Sequence, residues 1–114
     1  MASTTTTSTT PLRHFLIFGS DKPGMLPVRQ SVRETHRAHI RETSEAGVTV
    51  VFAGPTLDTE GQMNGSLLVV QAPSKEAVEA FLAADPYSQN AIFAKVEIRE
   101  MRPGLVRTDL LSAA

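Results

Sequence analysis

The stretch Ser66-Leu67-Leu68-Val69-Val70-Gln71-Ala72-Pro73-Ser74 decides how this chain folds. Ser66 to Ala72 is a short apolar run rich in branched side chains, which suits a buried strand. Pro73 closes it. Ser74 then offers a hydroxyl as a helix N-cap, and Glu76 favours the positive end of the helix that follows. Upstream, Val48-Thr49-Val50-Val51-Phe52-Ala53 has the same character and is ended by Gly54-Pro55. Between the two lies Thr56 to Asn64, with Asp58, Gly61 and Asn64 ahead of Gly65, which predicts a long hairpin connection. A strand pair therefore sits mid-chain, with a helix directly after it.

On either side the chain alternates strand and helix. His14-Phe15-Leu16-Ile17-Phe18, bounded by Gly19 and Ser20, predicts a first strand, and Asp21-Lys22-Pro23-Gly24 is turn chemistry. From Met25 to Ala46 the spacing becomes helical. Val28, Val32, His36, His39, Ile40 and Thr43 share one arc at about 100° per residue. Pro27 is acceptable in the first turn, and Gly47 is a stop. The later helix carries Val78, Phe81 and Leu82 on its apolar stripe. It ends by Asp85, because Pro86 disfavours helical backbone in the residue before it. Ala91 to Glu100, with Ile92, Ala94, Val96 and Ile98 alternating, predicts the last strand before Pro103-Gly104. The order strand, helix, strand, strand, helix, strand is the ferredoxin-like split arrangement. It implies an α+β fold with an antiparallel four-stranded sheet and both helices on one face. Val48–Phe52 and Leu67–Val70 are apolar on both sides of the sheet, more than a solvated face allows. A homodimer packed through the sheet face is expected.

With 114 residues and 41% hydrophobic side chains, the chain makes one domain. We divide it into a flexible Ser/Thr-rich tail over residues 1–11, the α+β domain over 12–103 and a C-terminal tail over 104–114. A net charge of -1 argues against a general nucleic-acid binder. No apolar run approaches a membrane span, and the start lacks the apolar core of a secretory signal, so a cytoplasmic protein is expected. The absence of cysteine removes disulfides, thiolate catalysis and thiolate zinc sites. His14, His36 and His39 make a weak metal set, and no metal or organic cofactor is expected.

His36 is the residue with the most chemistry to offer. It shares the buried stripe with Val32 and Ile40, where an imidazole needs a partner. If it lines a cleft, it is the natural proton carrier near neutral pH. Taken alone, a histidine on a helix stripe is more often a satisfied, half-buried group. Asp85, before Pro86, is equally a helix-ending turn residue. Arg29, Arg33, Arg37 and Arg41 recur every four residues and read as a solvated helix flank rather than a phosphate-binding stripe, because Glu34, Glu42 and Glu45 interrupt the row. Arg29 and Arg33 either orient an anionic substrate or pair with Glu34 or Asp85. Ser66 is a strand-start residue whose hydroxyl is available to a ligand. Tyr87 either closes a pocket or packs on a partner subunit.

Taken in order, several motifs resemble the YCII-related family of small dimeric α+β-barrel proteins. They are Arg29-xxx-Arg33-xx-His36, Ala53-Gly54-Pro55 with Asp58, Gly65-Ser66-Leu67, Asp85-Pro86-Tyr87 and Val96-x-Ile98, and they span Phe15 to about Arg102. The resemblance implies a His–Asp dyad as active site, carried here by His36 and Asp85; beside it, Arg33 and Ser66 are expected from their own chemistry as substrate-binding residues. It implies cofactor-free acid–base chemistry on a small aromatic or lactone-like molecule, such as dehydrochlorination or isomerisation. A non-catalytic small-ligand-binding or interaction domain is the alternative. A dyad at hydrogen-bond distance, with the second imidazole nitrogen facing a cavity, separates the two.

Overall fold

The computed structural model describes residues 11–111. Residues 1–10 of the expected N-terminal tail and 112–114 of the C-terminal one lie outside the described residues. The elements run β1 (Arg13–Asp21), α1 (Leu26–Ser31), α2 (Arg33–Arg41), β2 (Thr49–Leu57), β3 (Met63–Ala72), α3 (Lys75–Ala83), α4 (Pro86–Gln89) and β4 (Phe93–Met101). The strands form one sheet in the order β2-β3-β1-β4, each neighbouring pair antiparallel. That is the ferredoxin-like α+β fold expected from the sequence.

Register explains which side chains meet the helices. Phe15 lies opposite Val70 and Ile17 opposite Leu68 and Ile98, so these share a face. They form the core with Val78, Phe81 and Leu82 of α3. Burying each large side chain contributes roughly 1.5–3 kcal/mol. The alternate residues Leu16, Phe18, Leu67, Val69 and Phe52 point the other way. Phe18 and Phe52 remain 37% and 44% exposed.

Element boundaries depart from the sequence expectations in four places. The first helix is broken at Val32, where the backbone leaves the helical region at ψ 9°. The Ser31 hydroxyl donates to the Val28 carbonyl at 2.7 Å, which competes with the helical ladder. The helix also stops at Arg41 rather than Ala46. Glu42 is extended, Ser44 Oγ accepts the Val48 N–H, and Gly47 serves a turn with φ +85° instead of a helix stop. Strand β2 runs through Gly54-Pro55 to Leu57, so the hairpin connection is short. β2 is an edge strand, where the N–H that Pro55 lacks is not needed. Finally, α3 does end before Asp85, which is extended as Pro86 requires, but Pro86 also opens an unexpected short helix, α4, with Asp85 as its N-cap. Ser74 caps α3 as expected, accepting from the Ala77 N–H at 3.1 Å.

Candidate functional site

The break at Val32 and the extra helix α4 bring two distant segments together. His36 Nδ1 lies 2.8 and 3.0 Å from the two carboxylate oxygens of Asp85. Both residues are buried. A carboxylate only accepts, so Nδ1 carries the hydrogen, and in the neutral ring Nε2 keeps its lone pair. Among the described residues Nε2 has no hydrogen-bond partner. Among these residues no buried side-chain nitrogen or oxygen is left unpaired either, so Nε2 must reach solvent. It opens into a cleft of about 700 Å³ between α2 and the β2–β3 edge. Asp85 Oδ1 also accepts the Tyr87 N–H at 2.9 Å, the bond that starts α4. Tyr87 in turn stacks on His36, with ring centroids 3.8 Å apart and planes 10° from parallel.

Beneath this pair lies a buried charge network. Arg29 is 1% exposed. Its Nε and Nη2 donate to Asp21 at 2.7 and 2.8 Å, and Nη2 also donates to Ser66 Oγ at 2.8 Å. Its guanidinium sits over the Tyr87 ring, 4.5 Å from the centroid. Burial pushes the Tyr87 phenol above its ordinary pKa, and the charges of Arg29 and Arg33 pull partly against that. Gly19 keeps this corner closed. A Cβ there would come within 2.7 Å of the Phe93 ring, which meets Tyr87 edge-on.

The residues singled out from the sequence do not all meet at this site. His36, Asp85, Arg33 and Ser66 all border this one region, the first two in direct contact. Ser66 Oγ already accepts from Arg29, so its own proton remains to be donated. Arg33 lines the cleft with no ion-pair partner among the described residues. His39 turns away from the cleft. Its Nε2 lies 3.1 Å from the Phe81 carbonyl and its ring stacks on Phe81, so it satisfies a carbonyl near the end of α3. Arg37 and Arg41 line the cleft too, where a solvated flank was the favoured sequence reading. The contribution of Asp21 was missed, since Asp21-Lys-Pro-Gly reads locally as a turn. Asp58 does make its turn, accepting the N–H groups of Glu60 and Gln62. Among the described residues no cluster of three or more His, Cys, Asp or Glu is placed to hold a metal ion. None of their helices is long and apolar enough to cross a membrane.

A ferredoxin-like domain with a buried His–Asp pair opening on a cleft is the class that the fold and the site define. The chain belongs to the YCII-related family, whose domain model matches residues 14–102. It is 27% identical over 94 residues to an uncharacterised protein of Haemophilus influenzae, covering 78% of this chain and 96% of that protein. Protein YciI of Escherichia coli is likewise 27% identical over 94 residues, covering 77% of this chain and 95% of YciI. Among solved structures, the chain is similar to a 5-chloro-2-hydroxyhydroquinone dehydrochlorinase, TftG of Burkholderia phenoliruptrix AC1100, in complex with 2,5-dihydroxybenzoquinone. That match has a TM-score of 0.71 and 29% identity, over 80% of this chain and 95% of the other.

Proposed function

We propose that this protein is a cofactor-free acid–base enzyme acting on a small hydroxylated aromatic or lactone-like molecule. His36 Nε2 is the proton carrier, and Asp85 orients the ring and stabilises the imidazolium that forms. The observation that carries this reading is that both oxygens of Asp85 hold Nδ1 while Nε2 opens to the cleft. In this reading Arg33 and the Ser66 hydroxyl bind substrate oxygens, which their position on the cleft lining supports.

The likeness to a dehydrochlorinase supports elimination as the reaction. In a chlorinated hydroxyquinol, His36 takes one hydroxyl proton, and the resulting electron pair moves into the ring. The imidazolium returns the proton to the carbon that bears chlorine. A second hydroxyl then loses its proton as chloride leaves with its bonding electrons. The net change is loss of one H⁺ and one Cl⁻, leaving a quinone, and no external oxidant is needed. Isomerisation of a lactone uses the same two proton transfers without the leaving group.

The test is a panel of chlorinated hydroxyquinols and unsaturated lactones, followed by chloride release and quinone or lactone absorbance. His36→Asn is expected to lose about 10²–10⁴-fold in rate. Binding without turnover across the panel would favour the non-catalytic ligand-binding alternative. A homodimer belongs to the same proposal, with a second copy covering the apolar outer face around Phe18 and Phe52.

A further inference from the structure

The cleft carries more positive charge than proton transfer at His36 calls for. Four arginines line it, Arg29, Arg33, Arg37 and Arg41, and no carboxylate does. Two of them have partners elsewhere. Arg29 is held by Asp21. Arg37 reaches Glu34 at 3.3 Å, but that carboxylate is 80% exposed, so water competes for it and the pair is weak. Arg33 and Arg41 have no ion-pair partner among the described residues. The facing wall on β2 is different in kind: Val50, Ala53 and Pro55 present apolar surface, which Ile40 of α2 extends.

Geometry separates the two functions along the cleft. Arg33, Arg37 and Arg41 rise along one flank of α2 at about 6 Å per step. His36 lies between the first two, and Arg41 stands roughly 7.5 Å further along the axis. The C-terminal end of α2 opposes an anion there with about half a charge. The guanidinium charges outweigh that. Guanidinium forks match the paired, charged oxygens of a carboxylate or phosphate, whereas a neutral quinol offers them only single, uncharged hydroxyl oxygens.

We infer that the substrate carries a fixed oxyanion, carboxylate or phosphate-like, on an arm remote from the group that reacts at His36, and that Arg33, Arg37 and Arg41 receive it while the apolar wall takes the body. This rests on the acid–base reading of His36 and narrows its substrate class to anionic molecules with an extended arm.

Three probes sharing one ring test it: 2,5-dihydroxyphenylacetate, its methyl ester and 2,5-dihydroxybenzylphosphonate. Their affinities are measured by calorimetry under reducing conditions on the parent, Arg41→Gln, Arg41→Lys, Arg33→Gln and His36→Asn. At least one anionic probe is expected to bind tenfold or more tightly than the ester, with the carboxylate and phosphonate arms telling the two oxyanions apart. That preference should weaken with added salt. It should fall severalfold in Arg41→Gln and in Arg33→Gln and be largely restored in Arg41→Lys. His36→Asn should keep the preference, because the anion arm does not depend on the imidazole. Equal affinity for all three probes, no binding by any, or a preference untouched by Arg41→Gln and Arg33→Gln would overturn the inference. Failure of the acid–base reading is distinguishable, since it would appear as His36-independent turnover with the anion preference intact.

Discussion

Tyr87 lies flat against His36, and the backbone N–H of Tyr87 shares Asp85 Oδ1 with His36 Nδ1. One carboxylate therefore fixes the imidazole and starts the helix that carries the ring stacked on it. Local structure and site geometry depend on the same two oxygens.

Substituting that carboxylate separates the two roles. In Asp85→Asn the amide oxygen is held by the Tyr87 N–H, which places the NH₂ at the Oδ2 position, 3.0 Å from Nδ1. The NH₂ disfavours a hydrogen on Nδ1 while the amide oxygen, 2.8 Å away, still accepts one, so the two tautomers mix and the charge that stabilises the imidazolium is lost. Activity is expected to fall on the order of 10²–10⁴-fold. Asn caps a helix about as well as Asp, so the cap itself survives. Steady-state rates beside a thermal melt check both halves, and Asp85→Ala should additionally lose about 1 kcal/mol of capping.

The Arg29–Asp21 pair is buried on both sides, with side chains 2% and 7% exposed. Arg29→Ala leaves the Asp21 carboxylate without its partner and removes a donor from Ser66. A loss of roughly 3–5 kcal/mol in urea unfolding is expected. Arg33→Ala, which breaks no ion pair among the described residues, should stay within about 0.5 kcal/mol of the parent.

Much of this was legible in the sequence, for stated physical reasons. Strand and helix order follows from apolar periodicity, and the Ser74 cap from local chemistry. His36 and Asp85 stood out because one sits on a buried stripe and the other before a proline. What stayed hidden depends on long-range placement. Asp21 is a turn residue by local criteria, and only the fold carries it under Arg29. Tyr87 could be assigned to neither a pocket nor an interface while Pro86 was read only as a stop; it also opens α4, in which Tyr87 is buried. The arginine row looked solvated because periodicity reports a flank, not what the flank faces.

Tyr87 sets a pH dependence. Burial raises its folded-state pKa, opposed by Arg29 and Arg33. The unfolded chain therefore ionises first as pH rises past about 10. The associated stability is fully present below the unfolded value and is lost as pH rises through the folded one. Tyr87→Phe is expected to flatten that loss between about pH 9.5 and 11. Urea midpoints of parent and variant across the range check it. Parallel curves would mean the phenol titrates alike in both states.

The exposed outer sheet face predicts association. Sedimentation at micromolar concentration should give twice the monomer mass. Phe52→Asp and Phe18→Asp, both on solvent-facing positions of the single chain, should shift the protein to monomer while leaving its far-UV spectrum unchanged. A parent that stays monomeric removes the sheet-face dimer.

The most direct measurement is of the His36 tautomer by ¹⁵N NMR, at about pH 8.5, well above the ordinary imidazole range. The expected spectrum shows a protonated Nδ1 and an unprotonated Nε2, with the two exchanging places or averaging in Asp85→Asn. A ring protonated at Nε2 in the parent would leave no free base facing the cleft, and would contradict His36 as the proton acceptor.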